Sequence, residues 1–386
     1  MKIAHVITRM IVGGAQENTL FTLRGHLEHG HETALITGPT DGPEGKLLEQ
    51  NPLPGLETVV IPDLCRNMSL LADWRAYRQL AEHFRAVPYD VVHTHSSKAG
   101  ILGRVAARKA GVPVVVHTVH GQAFHRYEKP WKNRLYIAAE TMAAKRSDRI
   151  FAVCQAMIDQ CVEAGVAPAS LYEVVYSGME LEPYLEATPD PALRASLGIP
   201  ECAPVVGKIA RLFELKGYDH LLTAMPTIAA AVPEVRFLIV GDGLLRGWLE
   251  AEVAKLGLTE QVVFTGLVAP ATIPQYTALM DVLVHLSLRE GLPRTVIQAL
   301  ATAKPAVGFA LDGTPEAILD GQTGIICPPE DAAAVAAATI RLLQDEPLRH
   351  RLGDAGRAHA RAHWDWHLMV DQLEAAYSTL LAPTSR

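Results

Sequence analysis

Two short segments of the chain carry residue types that suit a ligand with both hydroxyl groups and a diphosphate. Arg211 and Lys216 are separated by four residues, between an apolar run and a helix-like segment. Glu290 follows a second apolar run and stands directly before Gly291 and another helix-like segment. Guanidinium and ammonium groups suit phosphate, and carboxylates accept hydrogen bonds from hydroxyls. In this order the two segments predict a nucleotide-sugar site.

Each segment alone also has a plainer interpretation. Arg211 and Lys216 are then two surface cations, and Glu290 only stabilises a helix N-terminus through the helix dipole. The Gly13-Gly14 turn is a third candidate, because amides that open a helix favour an anion, with a simple tight turn as its alternative. No third spaced glycine follows that turn, which disfavours an NAD-dependent enzyme.

The sequence shows no spacing typical of metal ligands. His93 and His95 face the same side of a strand-like run, but no cysteine or carboxylate accompanies them at a ligand spacing. The Asp-x-Asp pair of many metal-dependent nucleotide-sugar enzymes is also missing. We therefore expect no metal and no cofactor, with Arg211 and Lys216 supplying the positive charge that a cation would bring.

The elements that must position these residues alternate between short apolar runs and helix-period segments, which predicts parallel sheets covered on both faces. Predicted strands lie at 2–8, 32–37, 89–95, 112–118, 150–154 and 173–176, and at 205–210, 235–241, 261–264, 282–287, 306–309 and 324–327. A proline-rich stretch separates the two sets. We expect two Rossmann-like α/β domains facing a cleft, at 1–182 and 204–363, with a linker at 183–203.

The C-terminal segment 364–386 is predicted to be an amphipathic helix that returns to the first domain. Its apolar side chains share one stripe at helical spacing, made of Leu368, Met369, Leu373, Ala376, Tyr377 and Leu380. Two tryptophans, Trp364 and Trp366, open the segment.

Composition narrows the class of protein. The 386 residues are 49% hydrophobic and 20% charged, which favours sizeable folded cores. No apolar run approaches the length that spans a bilayer, and the N-terminus lacks a signal-peptide cleavage pattern. The five cysteines form no CxxC pair, which indicates that they are reduced thiols. We expect a cytoplasmic protein.

The charge is unevenly distributed along the chain. Residues 96–150 hold eleven lysines and arginines against three acidic residues, although the whole chain carries −7. With neighbouring aromatic residues, this stretch can rest on an anionic membrane surface, and a solvated helix face is the alternative. Nucleic acid is a poor partner, because the chain is acidic overall and no reader motif is present.

Taken together, the motifs resemble the retaining glycosyltransferases of family 4, which have the GT-B fold. The resemblance rests on motifs along nearly the whole chain, at 13–17, 92–100, 119–121, 176–180, 211–217, 240–243, 290–294 and 313–316. It implies transfer of a sugar from a nucleotide-sugar donor bound by the second domain to a glycan or lipid-linked acceptor bound by the first. The resemblance further implies a role in the synthesis of surface polysaccharide or glycolipid, at the inner face of the membrane.

The resemblance also implies roles for the matching residues. Arg211 and Lys216 neutralise the diphosphate, and Glu290 holds sugar hydroxyls. His120 lines the acceptor side near the reacting sugar. The remaining matches are Gly241, Gly291 and Leu292 on the donor side, and Gly13, Gly14 and His95 on the phosphate-loop or acceptor side.

One position departs from the family pattern of two glutamates separated by seven residues. Gln298 stands at the second, where a carboxylate is expected to bind ribose hydroxyls. A neutral hydrogen bond is weaker than a charge-assisted one, so we expect donor binding weaker by about 1 kcal/mol. The departure leaves a degenerate binding or scaffold protein open, beside a GT-B epimerase or phosphorylase.

Overall fold

The computed structural model describes residues 1–40 and 47–383. The chain divides into two compact units, one formed by Met1–Met179 with Trp366–Arg386 and the other by Glu180–Asp365. The chain therefore first passes from one unit to the other after Met179. The predicted linker, 183–203, belongs to the second unit.

The first unit is built on a seven-stranded parallel sheet with the order β3-β2-β1-β4-β5-β6-β7. Its strands are β1 (Lys2–Ile7), β2 (Glu32–Thr37), β3 (Glu57–Val60), β4 (Val91–His95), β5 (Val114–Val119), β6 (Arg149–Ala152) and β7 (Tyr172–Val174). Its helices are α1 (Gly14–Glu28), α2 (Leu47–Gln50), α3 (Leu70–Ala86), α4 (Ser97–Ala110), α5 (Pro130–Ala144), α6 (Gln155–Glu163) and, from the C-terminus, α16 (Trp366–Leu381).

The second unit contains a six-stranded parallel sheet with the order β10-β9-β8-β11-β12-β13. Its strands are β8 (Val205–Ile209), β9 (Arg236–Val240), β10 (Val262–Gly266), β11 (Val282–His285), β12 (Ala306–Phe309) and β13 (Gly324–Cys327). Its helices are α7 (Glu182–Leu185), α8 (Pro191–Ser196), α9 (Tyr218–Ala231), α10 (Arg246–Lys255), α11 (Ile273–Ala278), α12 (Arg294–Ala301), α13 (Thr314–Ala317), α14 (Ala332–Gln344) and α15 (Glu346–His363).

The two parallel sheets confirm the predicted fold class of two Rossmann-like domains. Each predicted strand overlaps an observed one, because the apolar runs are buried on both faces of their sheets. Strand β3 was missed. It is a four-residue edge strand with mostly exposed side chains, so its sequence shows no continuous apolar run.

Each sheet has a point at which the strand order reverses. In the first unit it lies between β1 and β4, and in the second between β8 and β11. Loops that leave the carboxyl ends of such neighbouring strands diverge to opposite faces and open a crevice for ligands. Most of the predicted site residues follow these strands in the chain.

Helix α16 packs against α1 within the first unit. Met369, Leu373 and Tyr377 are buried as the amphipathic pattern predicts. Leu368 was placed on the same stripe and is 40% exposed, while Val370 takes the buried position instead. The buried face of the helix is therefore rotated about the helix axis from the predicted face, by about half of the rotation between consecutive residues.

Gly178 allows the start of α16 to dock closely. A Cβ atom at Gly178 would lie 2.4 Å from the Cα of Trp366, a distance that no side chain tolerates. The amide of Trp366 donates to the carbonyl of Met179 at 3.2 Å. The motif at 176–180 therefore anchors the returning helix.

Candidate functional site

The donor-side candidates lie at the strand-order reversal of the second unit. Arg211 and Lys216 belong to the loop between β8 and α9, and Glu290 belongs to the loop between β11 and α12. Since β8 and β11 are neighbouring parallel strands, both loops leave the same edge of the sheet.

The two loops are joined by two direct contacts. The Nζ of Lys216 lies 2.7 Å from Oε2 of Glu290, and both side chains are about a quarter exposed. The amide of Leu288 donates to the carbonyl of Leu215 at 2.8 Å. The structure therefore brings one predicted phosphate-binding cation together with the predicted sugar-binding carboxylate.

The backbone of the β8–α9 loop is held in an uncommon conformation. Leu215 has a φ of 64°, in the left-handed region that side chains other than glycine rarely adopt. Gly217 has a φ of 68°, and a Cβ there would meet the carbonyl oxygen of Leu286 at 1.9 Å. Backbone strain of this kind concentrates at ligand sites, where the loop must be rigid.

A buried lysine that the sequence interpretation missed lies beneath this loop. Lys208 on β8 is almost completely buried, and its Nζ lies 4.9 Å from the ring centroid of Tyr218. Burial, together with Lys216, lowers the pKa of Lys208 to about 7. Its sequence signal is a single lysine within an apolar strand run. Lys208 adds a titratable amine to a site that is predicted to bind an anion.

His285 stands beside these cations at the end of β11. Burial, and then Lys208 and Lys216, hold its pKa well below the usual range, so the ring is neutral. Its Nε2 and the nearby Ser287 Oγ are buried without hydrogen-bond partners. Buried polar atoms of this kind are normally satisfied, so the end of β11 carries two unsatisfied polar atoms.

The loops after β8 and β9 are also joined. Gly241 has a φ of 134°, and a Cβ there would meet the carbonyl oxygen of Ala210 at 2.2 Å, so glycine is required. The amide of Leu212 donates to the carbonyl of Asp242 at 2.9 Å. The exposed Arg211 guanidinium lies 5.1 Å from the ring centroid of Phe213. Arg211 and Gly241 thus share the sheet edge with Lys216.

The remaining donor-side candidates lie around α12. Gly291 and Leu292 connect β11 to this helix, and Leu292 is buried. Gln298, in the second turn of the helix, is partly exposed. The amide of Glu290 donates a hydrogen bond to Asp312 Oδ2 at 2.7 Å. This bond fixes the backbone of the β11–α12 loop at Glu290.

The first-unit candidates lie at the carboxyl edge of its sheet. Gly13 precedes α1 and Gly14 begins it, with the amide of Glu17 bonded to the carbonyl of Gly13 at 2.9 Å. Thr8 Oγ1, in the same loop, lies 2.9 Å from Ser96 Oγ after β4. The Gly13-Gly14 turn therefore opens a helix at the first strand-order reversal.

His95 and His120 are in direct contact. His95 ends β4, His120 follows β5, and His95 Nδ1 lies 3.0 Å from Nε2 of His120. His95 is fully buried and His120 is partly exposed. A pocket beside His120 is lined in part by Ser96, Thr118 and Gln122. Sequence reasoning named both histidines but not their contact.

The structure adds His5 of β1 to the pair His93 and His95. Ligand atoms of these three histidines lie within 4.8 Å of one another, a proximity that the sequence spacing did not reveal. Most of their nitrogens are already engaged: those of His93 lie 2.5 Å from Tyr377 Oη and 2.6 Å from Thr118 Oγ1. Nδ1 of His5 lies 2.9 Å from Nε2 of His95. As arranged, the group is a hydrogen-bonded cluster.

Two family models match the chain. The model described as "Glycosyl transferase 4-like domain" matches residues 13–178, and the model described as "Glycosyl transferases group 1" matches residues 189–359.

Individual relatives agree with these models. The UDP-Gal:alpha-D-GlcNAc-diphosphoundecaprenol alpha-1,3-galactosyltransferase of Escherichia coli is 30% identical over 352 residues, which cover 90% of this chain and 89% of the relative. Putative glycosyltransferase EpsD of Bacillus subtilis is 29% identical over 74% of this chain and 75% of its own length.

A solved structure of Anabaena Alr3699/HepE in complex with UDP has a TM-score of 0.83 with this chain. It is 24% identical, over 98% of this chain and 100% of its own, and it shares the fold. The chain therefore belongs to the glycosyltransferases of the family 4 type, with the GT-B fold.

Proposed function

We propose that this glycosyltransferase moves a sugar from a UDP- or GDP-linked donor to a glycan or lipid-linked acceptor, with retention at the anomeric carbon. The observation that carries the proposal is the Lys216–Glu290 pair at the edge shared by β8 and β11. One partner suits a diphosphate and the other suits sugar hydroxyls.

The positive groups near this pair support transfer without a metal ion. Departure of a nucleoside diphosphate develops negative charge on its phosphate oxygens. Arg211 and Lys216 can stabilise that charge directly, and Lys208, with its pKa near 7, becomes more fully protonated when an anion binds beside it. These side chains would take the part that a divalent cation plays in other transferases.

A lipid-linked acceptor is supported by one relative and by an exposed helix face. The Escherichia coli relative is named for a diphosphoundecaprenol-linked acceptor. In this chain Trp131, Leu135 and Met142 on α5 are 62%, 53% and 39% exposed, and with Ala138 they form one stripe. Within residues 1–40 and 47–383, no helix has the length and apolar character needed to cross a bilayer.

Cations beside this stripe suit an anionic leaflet. Arg126, Lys129, Arg134 and Lys145 are exposed on α5 or at its ends. Two other arginines of the basic stretch are engaged elsewhere: Arg104 is buried against Glu140 at 2.6 Å, and Arg108 bonds Asp148 at 2.6 Å. We therefore place the membrane contact on α5 rather than on the whole of 96–150, at the inner face of the cytoplasmic membrane.

Product analysis tests the proposed reaction. The purified protein is incubated with UDP- and GDP-sugars and with diphosphate-lipid-linked saccharides, and the products are analysed by mass spectrometry and NMR. We expect release of nucleoside diphosphate in equal amount to a new glycoside of unchanged anomeric configuration. An inverted product would refute retention, and an epimerised sugar nucleotide without a glycoside would indicate an epimerase.

A further inference from the structure

A line of histidines connects His120 with a carboxylate on the C-terminal helix, entirely within the first unit. His120 contacts His95, and His95 contacts His5. His26 on α1 follows, with its ring centroid 5.2 Å from that of His5. Nδ1 of His26 lies 2.7 Å from Oε1 of Glu374 on α16. These residues are called the histidine chain below.

The link between His5 and His26 is the one place where no hydrogen bond is formed. Nε2 of His5 and Nε2 of His26 are both buried and both lack a partner. Buried ring nitrogens are normally satisfied, and the two rings are neighbours. A small ring rotation that forms a direct hydrogen bond between them would satisfy both atoms at once. We therefore expect a hydrogen bond between Nε2 of His5 and Nε2 of His26.

The rings of His5, His26 and His95 are neutral, so each has one donor nitrogen and one acceptor nitrogen. Burial, followed by His26, holds the pKa of His5 well below its usual range. Burial, followed by neighbouring histidines, does the same for His95. For His26 burial also lowers the pKa, although Glu374 opposes the shift. A chain of neutral imidazoles must point in one direction throughout.

Glu374 sets that direction. Burial disfavours its charged form, but hydrogen bonds from His26 and His29 outweigh burial and lower its pKa to about 2. An ionised carboxylate can only accept, so His26 carries its proton on Nδ1 and has its lone pair on Nε2. His5 then donates from Nε2 to His26, His95 donates from Nε2 to His5, and His120 donates from Nε2 to His95.

We propose that Glu374, His26, His5 and His95 are positioning residues that hold the proton of His120 on Nε2 and so present its Nδ1 as an acceptor. The proposal deepens the proposed function, because it concerns the histidine assigned to the acceptor side. It gives the returning helix α16 a role in the site of the first unit. Histidine function depends on which nitrogen carries the proton, and that is set by the hydrogen bond of the other nitrogen.

The decisive experiment measures the tautomers by NMR of the full chain with ¹⁵N-labelled histidine, at pH 7.5. Wild-type protein should show Nε2–H on His120, His95 and His5, and Nδ1–H on His26. His5→Leu, which breaks the chain, should leave His120 as a mixture of tautomers. His5→Gln should restore the wild-type state, because an amide can accept from His95 and donate toward His26.

The matched control is His93→Leu. His93 is equally buried and lies beside His5, but it bonds Tyr377 and Thr118 and is not part of the chain. The control should lose stability without changing the tautomer of His120. A His120 tautomer that is the same in wild type, His5→Leu and Glu374→Leu would overturn the proposal.

Kinetics provide a second readout. His5→Leu should lower kcat at least about tenfold with little change in donor KM, and His5→Gln should recover most of it, in the range typical of a displaced acid–base group. Equal loss in both His5 variants would contradict the positioning role. If wild-type protein transfers no sugar, the proposed function fails, and the NMR result still decides whether Glu374 sets the tautomer.

Discussion

Lys216 and Glu290 form an ion pair of 2.7 Å across two loops of one sheet edge. In this pair, each charged group satisfies the other. A nucleotide sugar would give Lys216 a phosphate and Glu290 a hydroxyl, so the pair keeps both side chains in place until the ligand arrives. The same contact prevents either charge from lying partly buried without a partner.

Replacement of Lys216 by methionine should weaken donor binding about 10- to 100-fold, since a hydrogen bond to a charged group contributes about 1.5–3 kcal/mol. The measurement is calorimetric titration with the nucleoside diphosphate. Lys255→Met is the control, because Lys255 forms a similar 2.6 Å pair with Glu252 on an exposed helix. Equal affinities of wild type and Lys216→Met would remove Lys216 from the site.

Gln298→Glu should strengthen donor binding by about 1 kcal/mol, or roughly fivefold, because a carboxylate makes stronger hydrogen bonds to ribose hydroxyls. Gln322→Glu, a substitution in the exposed turn before β13, serves as the control for added charge. Unchanged or weaker binding in Gln298→Glu would show that the side chain does not contact the ribose.

Transfer should not depend on divalent metal. Activity after extensive EDTA treatment and gel filtration should remain within about twofold of the untreated value, because in the proposed mechanism Arg211 and Lys216 stabilise the leaving group. The same assay with added Mg²⁺ or Mn²⁺ is the comparison. A large loss that only the metal ions restore would mean that side-chain charge is insufficient.

The α5 surface should bind anionic vesicles. Trp131→Ser and Leu135→Ser together should reduce co-flotation with vesicles that contain phosphatidylglycerol at low salt, since they remove the most exposed part of the apolar stripe. Trp248→Ser is the control, because Trp248 is 42% exposed on a helix of the second unit. Equal partition of wild type to neutral and anionic vesicles would refute this surface.

Acid should destabilise the first unit before the second. Burial is the main cause that lowers the pKa of His5, His93, His95 and His117 well below 6.5. Below that pH the unfolded chain binds protons that the folded unit does not, so stability falls by up to about 1.4 kcal/mol per pH unit for each histidine.

Scanning calorimetry at pH 7.5 and pH 5.0 checks this difference. We expect one transition to move to lower temperature at pH 5.0, and proteolysis at that pH should cleave the first unit preferentially. His350→Gln, on an exposed helix position, should leave the shift unchanged. A transition temperature that is independent of pH would mean that the histidines are protonated in the folded state.

Local patterns in the sequence predicted the sheets and the proximity of Lys216 and Glu290, because apolar runs and glycine turns are set by neighbouring residues. The histidine chain depends on contacts between distant parts of the sequence: His5 and His95 are 90 positions apart, and His26 and Glu374 are 348 apart. Such contacts follow from strand order and from the docking of α16. Lys208 was overlooked because a single lysine within an apolar strand run gives no indication that it lies near Lys216.

The most direct test of the central claim is equilibrium binding of UDP, GDP, ADP and NAD to the folded protein without metal. We predict binding of one nucleoside diphosphate, UDP or GDP, which is strongly weakened in Arg211→Ala and Lys216→Met while both variants remain folded. Wild-type protein that binds none of these nucleotides would contradict the assignment of a nucleotide-sugar site to the loops after β8 and β11.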